Sequence, residues 1–267
     1  MALYNKEHAV VSFPLTMTKN TGKDNCSTKQ LILEDGRLSN IPFKGIYKAE
    51  AEVVRFSGLE KFCDYIGTHI KKDIDDTVFV SGIPKHTSSD GKHKVRSKAF
   101  AKKGNIKGSI SLSDQDFHYL PLPTLMLIDY DPPKSACNAK FHEEIVSKGL
   151  INIFHAIVPE LMLNTVDRVE KKSSSAGVFT VNAQGKMEPI KPFDGEHIYI
   201  IVSDGTKIQD LVKYIEMKCI LSGYFWVEPN AAGRGMIKTP IDTAPSRPSS
   251  IRIFAPARLT NKARGEK

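Results

Sequence analysis

The stretch Thr124-Leu-Met-Leu-Ile-Asp-Tyr-Asp-Pro-Pro133 constrains this chain more than any other. Apolar residues run into two aspartates, and two prolines end the run. A short apolar run closed by Pro predicts a buried strand whose end reaches the surface. Side chains alternate along a strand, so Asp129 and Asp131 are expected on one side. Two carboxylates held that close repel each other unless a cation lies between them. Mg²⁺ is typically held by one or two carboxylates together with substrate phosphates. The alternative is a strand-end turn with two solvated aspartates. The pair alone does not choose between these readings, so the choice rests on the rest of the chain.

At 267 residues the chain has room for one large domain or two small ones. No apolar run approaches the ~20 residues that span a bilayer, and Met1 to Lys19 lacks the pattern of a signal peptide. The expected location is therefore cytoplasmic, with no membrane partner. Cys26, Cys63, Cys137 and Cys219 form no Cys-x-x-Cys pair. They fit reduced thiols better than a zinc site or a disulfide framework. The net charge of +8 favours an anionic partner, nucleic acid above all.

Residues 1–50 are polar and weakly patterned, and part of this segment reads as an arm that orders only on a partner. Ser57-Gly-Leu-Glu60 has the form of a capping box, with apolar residues at helical spacing after it, predicting a helix over 57–70. Thr77–Val80 reads as a strand. Between residues 84 and 108 lie Lys85, Lys92, Lys94, Arg96, Lys98, Lys102, Lys103 and Lys107. This is either a solvated loop or a basic surface that follows a phosphate backbone. Spacing predicts one helix over about 140–157 and strands at Val166–Lys171 and Val178–Val181. His197–Val202 is a β-branched strand. Thr206-Lys-Ile-Gln209 looks like a second capping box, opening a helix that Gly223 stops. Tyr224–Val227, Ile237–Asp242 and Arg252–Phe254 read as further strands, with Pro240 marking an edge or a bulge. From Arg258 the chain reads as a basic tail.

Three pieces stand out in order: the Asp129-x-Asp131 strand, Gly195-Glu-His197 opening a strand, and Ile241-Asp242 closing an extended segment. Together they resemble the three motifs of the archaeo-eukaryotic primase superfamily, in particular the primase and primase-polymerase domains of phages, plasmids and other mobile elements. Val95-Arg-Ser-Lys-Ala-Phe100 resembles the Arg-containing segment before the first motif. Ser173-Ser-Ser-Ala-Gly177 resembles the serine loop before the second, and Lys238-Thr-Pro-Ile-Asp242 the third motif with its basic residue. The likeness spans about residues 95–257 and leaves out residues 1–90. Arg234-Gly235, and Pro240 inside the third motif, depart from the pattern.

The resemblance implies an α+β fold with a two-layer catalytic core. An N-terminal α/β half and a C-terminal half of about 160–257, built like an RNA-recognition module, would enclose the site in a cleft. It divides the chain into an accessory segment 1–90, a core 91–257 and a linker 258–267. It implies DNA-templated nucleotidyl transfer, as primer synthesis or polymerisation, by a two-metal mechanism with Mg²⁺ or Mn²⁺. Asp129, Asp131 and Asp242 would hold the metals. His197, Ser173, Ser175 and Lys238 would contact the nucleotide, and Arg96, Lys98, Lys102 and Lys103 the single-stranded DNA template. Nucleoside triphosphates are the expected substrates, and a helicase domain or protein a candidate partner. A second reading is a non-catalytic single-stranded nucleic-acid binder on the same scaffold, with Tyr199, Tyr224, Phe225 and Trp226 stacking bases. Carboxylates in a basic groove would serve such a binder poorly. A tyrosine nuclease of the replication-initiator kind would need a His-hydrophobic-His pair, which the sequence lacks.

Overall fold

A computed structural model describes residues 11–21, 30–34, 37–41, 48–68, 76–86, 88–96, 109–133, 138–173, 178–181, 184, 186–191, 195–230, 232–252 and 258–261. The strands in chain order are β1 (Ser12–Asn20), β2 (Gln30–Glu34), β3 (Arg37–Ile41), β4 (Lys48–Ser57), β5 (Thr77–Val80), β6 (Ile83–Pro84), β7 (Lys92–Arg96), β8 (Ser109–Ile110) and β9 (Phe117–His118). They continue with β10 (Thr124–Tyr130), β11 (Arg168–Lys172), β12 (Val178–Val181), β13 (Met187–Lys191), β14 (Glu196–Val202), β15 (Trp226–Pro229), β16 (Gly235–Lys238), β17 (Ile251–Arg252) and β18 (Arg258–Asn261). The α-helices are α1 (Leu59–Thr68), α2 (Ala139–Lys148), α3 (Leu150–Ile157) and α4 (Ile208–Leu221). The protein is thus a mixed α+β structure. Among the described residues no helix is long and apolar enough to cross a membrane.

The chain divides into two compact units, and neither is a continuous stretch. One comprises Pro14–Tyr119, Ser173–Phe193 and Pro248–Lys267; the other comprises Met1–Phe13, Leu120–Lys172 and Asp194–Arg247. The position expected to separate accessory segment from core, between residues 90 and 91, falls inside the first of these, in the turn that leads into β7.

The first unit is built on a six-stranded sheet in the order β17-β5-β1-β4-β7-β8. Its core includes Ala49, Ala51, Val78, Val80, Val95, Ile110 and Phe117. β4 and β7 alternate buried and exposed positions over Lys48–Glu52 and Lys92–Val95, which is the pattern of a sheet wet on one face. α1 lays Phe62 against Phe56 and Phe79 in edge-to-face contacts of 5.3 and 5.9 Å. Two expectations change here. The polar, weakly patterned segment 1–50, part of which reads as an arm, contributes β1, an inner strand in which Leu15, Thr16 and Thr18 are fully buried. The segment read as a tail contributes β18, which pairs in parallel with β2. The separate hairpin β12–β13 also belongs to this unit.

The second unit carries the antiparallel sheet β10-β14-β11 and the ribbon β15–β16. β10 ends at Tyr130, one residue before Asp131, as the prolines predict. The helix expected over about 140–157 is two helices. Gly149 interrupts it with φ 80°, a left-handed value that glycine adopts without strain, so α3 starts afresh beyond it. The second expected capping box gives way to another cap. Asp204 accepts from the Thr206 backbone N–H at 2.9 Å and from the Thr206 hydroxyl at 2.6 Å, at the head of a 3₁₀ turn leading into α4. α4 buries Ile208, Leu211, Val212, Ile215 and Cys219, as the spacing predicts. It stops in a Schellman arrangement, with Tyr224 N–H donating to Cys219 O and Gly223 N–H to Ile220 O.

Candidate active site

Strand register assembles the first part of the site. In the sheet β10-β14-β11, Asp129 lies directly opposite His197, and His197 opposite Lys171. Directly opposed residues of an antiparallel sheet share a face. The row therefore sets a carboxylate, an imidazole and an ammonium side by side. The next row on that face, Leu127–Tyr199–Val169, is apolar apart from one phenol. On the other face Tyr130 anchors the end of β10. Its ring stacks on His142 of α2 with centroids 5.9 Å apart, and its hydroxyl is 2.8 Å from His142 Nδ1. That contact fixes the backbone between the two aspartates.

His197 Nε2 stands 3.2 Å from Asp129 Oδ1, and the two side chains are 12% and 18% exposed. The approach does not meet hydrogen-bond geometry. Among the described residues, Asp129 Oδ1 and His197 Nδ1 are both buried without a hydrogen-bonding partner. Buried polar atoms are nearly always satisfied, so an unsatisfied carboxylate oxygen beside an imidazole makes this row the candidate for an active site. A carboxylate oxygen is a hard anionic donor, which suits Mg²⁺ or Mn²⁺.

The third segment approaches through its backbone. The Asp242 N–H donates to the Asp129 carbonyl at 2.9 Å. Asp242 does not close a strand as expected. β16 ends at Lys238, and Pro240 leads the chain into a bend where Asp242 Oδ1 accepts from the Ala244 N–H at 3.0 Å. The expected extension through Asp242 fails because Pro cannot donate to a ladder. A cavity of about 230 Å³ lies beside this bend, lined by Asp131, Asp242 and Lys238 together with Glu216, Trp226 and Glu228.

Asp129, Asp131, His197, Lys238 and Asp242 all belong to one unit. Among the described residues, no three His, Cys, Asp or Glu side chains stand together as a ready-made metal cage. Divalent ions of this kind commonly use one or two protein carboxylates and take the remaining oxygens from substrate and water. The three expected carboxylates are not gathered into one cluster: Asp131 and Asp242 line the cavity, while Asp129 stands in the row with His197. Ser173 is buried and belongs to the other unit. Ser175, Lys98, Lys102 and Lys103 lie outside the described residues. Arg96 ends β7 in the other unit, with its Nη1 donating to Val95 O at 2.9 Å.

Two findings bear on nucleic-acid contacts. β7 presents Lys92 and Lys94 on its exposed side, but they face Glu52 and Glu50 of β4 across the sheet. Opposite charges in register offset each other, so this strand is less basic than its own sequence suggests. Of the aromatics considered for base stacking, Tyr199 is fully buried and Trp226 is 4% exposed, so both are core residues. The sequence reading missed Glu216 and Glu228. Their signal was weak: Glu228 sits two residues after Trp226 on a strand and so shares its face.

Comparison with protein-family models, curated proteins and solved structures finds no match to this chain.

Proposed function

We propose that this protein catalyses DNA-templated nucleotidyl transfer, as a primase or primase-polymerase of the archaeo-eukaryotic type. The observation that carries the reading is the meeting of three distant motif segments in one unit: His197 lies 3.2 Å from the Asp129 carboxylate, and the Asp242 amide donates to the Asp129 carbonyl at 2.9 Å. The resemblance in sequence names these same three segments.

In this reaction the 3′-hydroxyl oxygen of a growing strand attacks the α-phosphorus of a nucleoside triphosphate. The hydroxyl proton passes to water, the new P–O bond forms, and the bond to the leaving pyrophosphate oxygen breaks. Asp129, Asp131 and Asp242 would hold Mg²⁺ or Mn²⁺. When bound, such ions neutralise charge on the attacking and leaving oxygens. His197 donates a hydrogen bond to a phosphate oxygen, a contact that strengthens as charge builds there. Lys238 adds a cation for the phosphates. Arg96 and the lysines at 98, 102 and 103 hold the single-stranded template through its backbone. An archaeo-eukaryotic-type core, a helicase partner and a role in replicating a mobile element belong to the same reading.

The test uses labelled nucleotides, a single-stranded template and Mg²⁺ or Mn²⁺, with and without a primer. The wild-type chain is expected to incorporate nucleotide. His197→Ala is expected to lose about 10²–10³ in rate, the typical effect of removing one such donor, while template binding persists. Absence of incorporation by the wild type with either metal overturns the reading. Near-wild-type incorporation by His197→Ala removes the role of the histidine.

A further inference from the structure

Two carboxylates in the cavity beside Asp242 have no part in the chemistry above. Glu228 is the better defined. The buried Trp226 indole donates its Nε1–H to Glu228 Oε1 at 3.1 Å, which fixes the direction of the carboxylate. The ribbon register sets Trp226 opposite Lys238 and Glu228 opposite Met236. Trp226, Glu228, Met236 and Lys238 thus share one face, with Lys238 and Glu228 diagonal to each other. Diagonal positions on such a ribbon are about 7–8 Å apart. The face is bipolar, with a cation at one corner and an oriented anion at the other.

A bipolar face of this kind suits a ligand with an anionic group and hydroxyl donors a few ångströms apart. A carboxylate repels phosphate and accepts only from donors. In a nucleotide, the donors nearest the phosphates are the sugar hydroxyls. At about 230 Å³ the cavity is smaller than the ~300–1,000 Å³ typical of pockets that enclose a whole drug-sized ligand. It has room for part of a nucleotide. Carboxylates that read ribose hydroxyls recur in dinucleotide sites for the same reason.

We propose that Glu228 accepts from the sugar hydroxyls of the incoming nucleotide and makes the protein prefer ribonucleotides over 2′-deoxyribonucleotides. The proposal rests on the nucleotidyl-transfer reading and names its substrate class.

The chain has a single tryptophan, Trp226, so its fluorescence reports on this cavity directly. The full chain with Mg²⁺ is titrated with ATP and with 2′-deoxy-ATP, and the same pair is compared in single-nucleotide incorporation. The wild type is expected to favour the ribonucleotide by about tenfold or more, mainly through KM, because a hydrogen bond to a charged group has about that effect. Glu228→Ala should bring the ratio near one. Glu228→Gln keeps an acceptor for the indole and guards against a folding defect; it should give an intermediate ratio. If the wild type incorporates nucleotide but both variants keep its ratio, this proposal fails and the activity stands. A variant effect that differs between ATP and UTP but not between ribo and deoxy forms also overturns it, since the carboxylate would then read the base. If no nucleotide binds and none is incorporated, both readings fail.

Discussion

Asp129→Asn is expected to abolish nucleotide incorporation while leaving the fold as stable as before or more so. The carboxylate has a buried oxygen without a hydrogen-bonding partner among the described residues. An unsatisfied buried polar atom costs about 1–3 kcal/mol, and more when charged. The side chain is 18% exposed and an imidazole stands 3.2 Å away, so only part of that cost applies. A gain of about 1 kcal/mol is the expected result for the isosteric amide, which raises Tm by about 2–4 °C in a chain of this size. Thermal unfolding followed by circular dichroism measures it. Metal adds a second arm. With 10 mM Mg²⁺ and a Kd on the order of 1 mM, linkage stabilises the native wild type by about 1.4 kcal/mol, an increment the variant should largely lose. Incorporation should fall at least ~10²-fold, since losing several kcal/mol of charge stabilisation has that effect. A drop in Tm of more than about 4 °C would show that the carboxylate is a structural partner after all. Incorporation within a few-fold of wild type would remove Asp129 from the reaction.

Replacing Lys98, Lys102 and Lys103 together should weaken DNA binding for every sequence and flatten its dependence on log salt; an unchanged slope would make the stretch a solvated segment. Gly205→Ala should destabilise by about 1–3 kcal/mol, because a Cβ there would collide with the buried Thr124 hydroxyl and come within 2.9 Å of the Leu120 carbonyl; adding Thr124→Ala should restore part of the loss in a denaturant titration. Burial, with a smaller push from Glu216, raises the Cys219 thiol from 9.0 to about 12. The unfolded chain then releases its proton first, so this contribution is whole below pH 9 and lost as pH climbs toward 12. Stability should fall more steeply from pH 9 to 11 in the wild type than in Cys219→Ala, and equal slopes would refute the assignment.

Elements defined by local chemistry were legible in the sequence. β10 stops where two prolines require it, β5 and β12 have their expected bounds, and the apolar face of α4 follows its period. What failed depended on distant partners. β1 contains Pro14 and three threonine or lysine positions that read as polar, yet the sheet buries it from both sides. β18 pairs with β2 from the far end of the chain, and no local pattern announces a parallel partner. The site divided in the same way. Asp129 and His197 were visible as motif residues, and strand pairing made them neighbours. Lys92 and Lys94 looked like a basic surface because the glutamates opposite them lie some forty residues earlier in the chain.

The return of β17 to β5 has a consequence for how the protein is made. Ile251 pairs with Val80, and the buried Arg252 guanidinium donates through Nε to Ser81 Oγ at 2.6 Å. The sheet that starts at Ser12 therefore stays unfinished until residue 252 has left the ribosome, by which time the whole of the other unit has emerged. Pairings this distant are slow to form, since the loop must close before the contact rewards it. During synthesis β5 presents an open edge beside Val78, Phe79 and Val80, an apolar stretch that would invite a neighbouring nascent chain. Chains terminated shortly before residue 251 should collect in aggregates even though every residue of the active site is present in them.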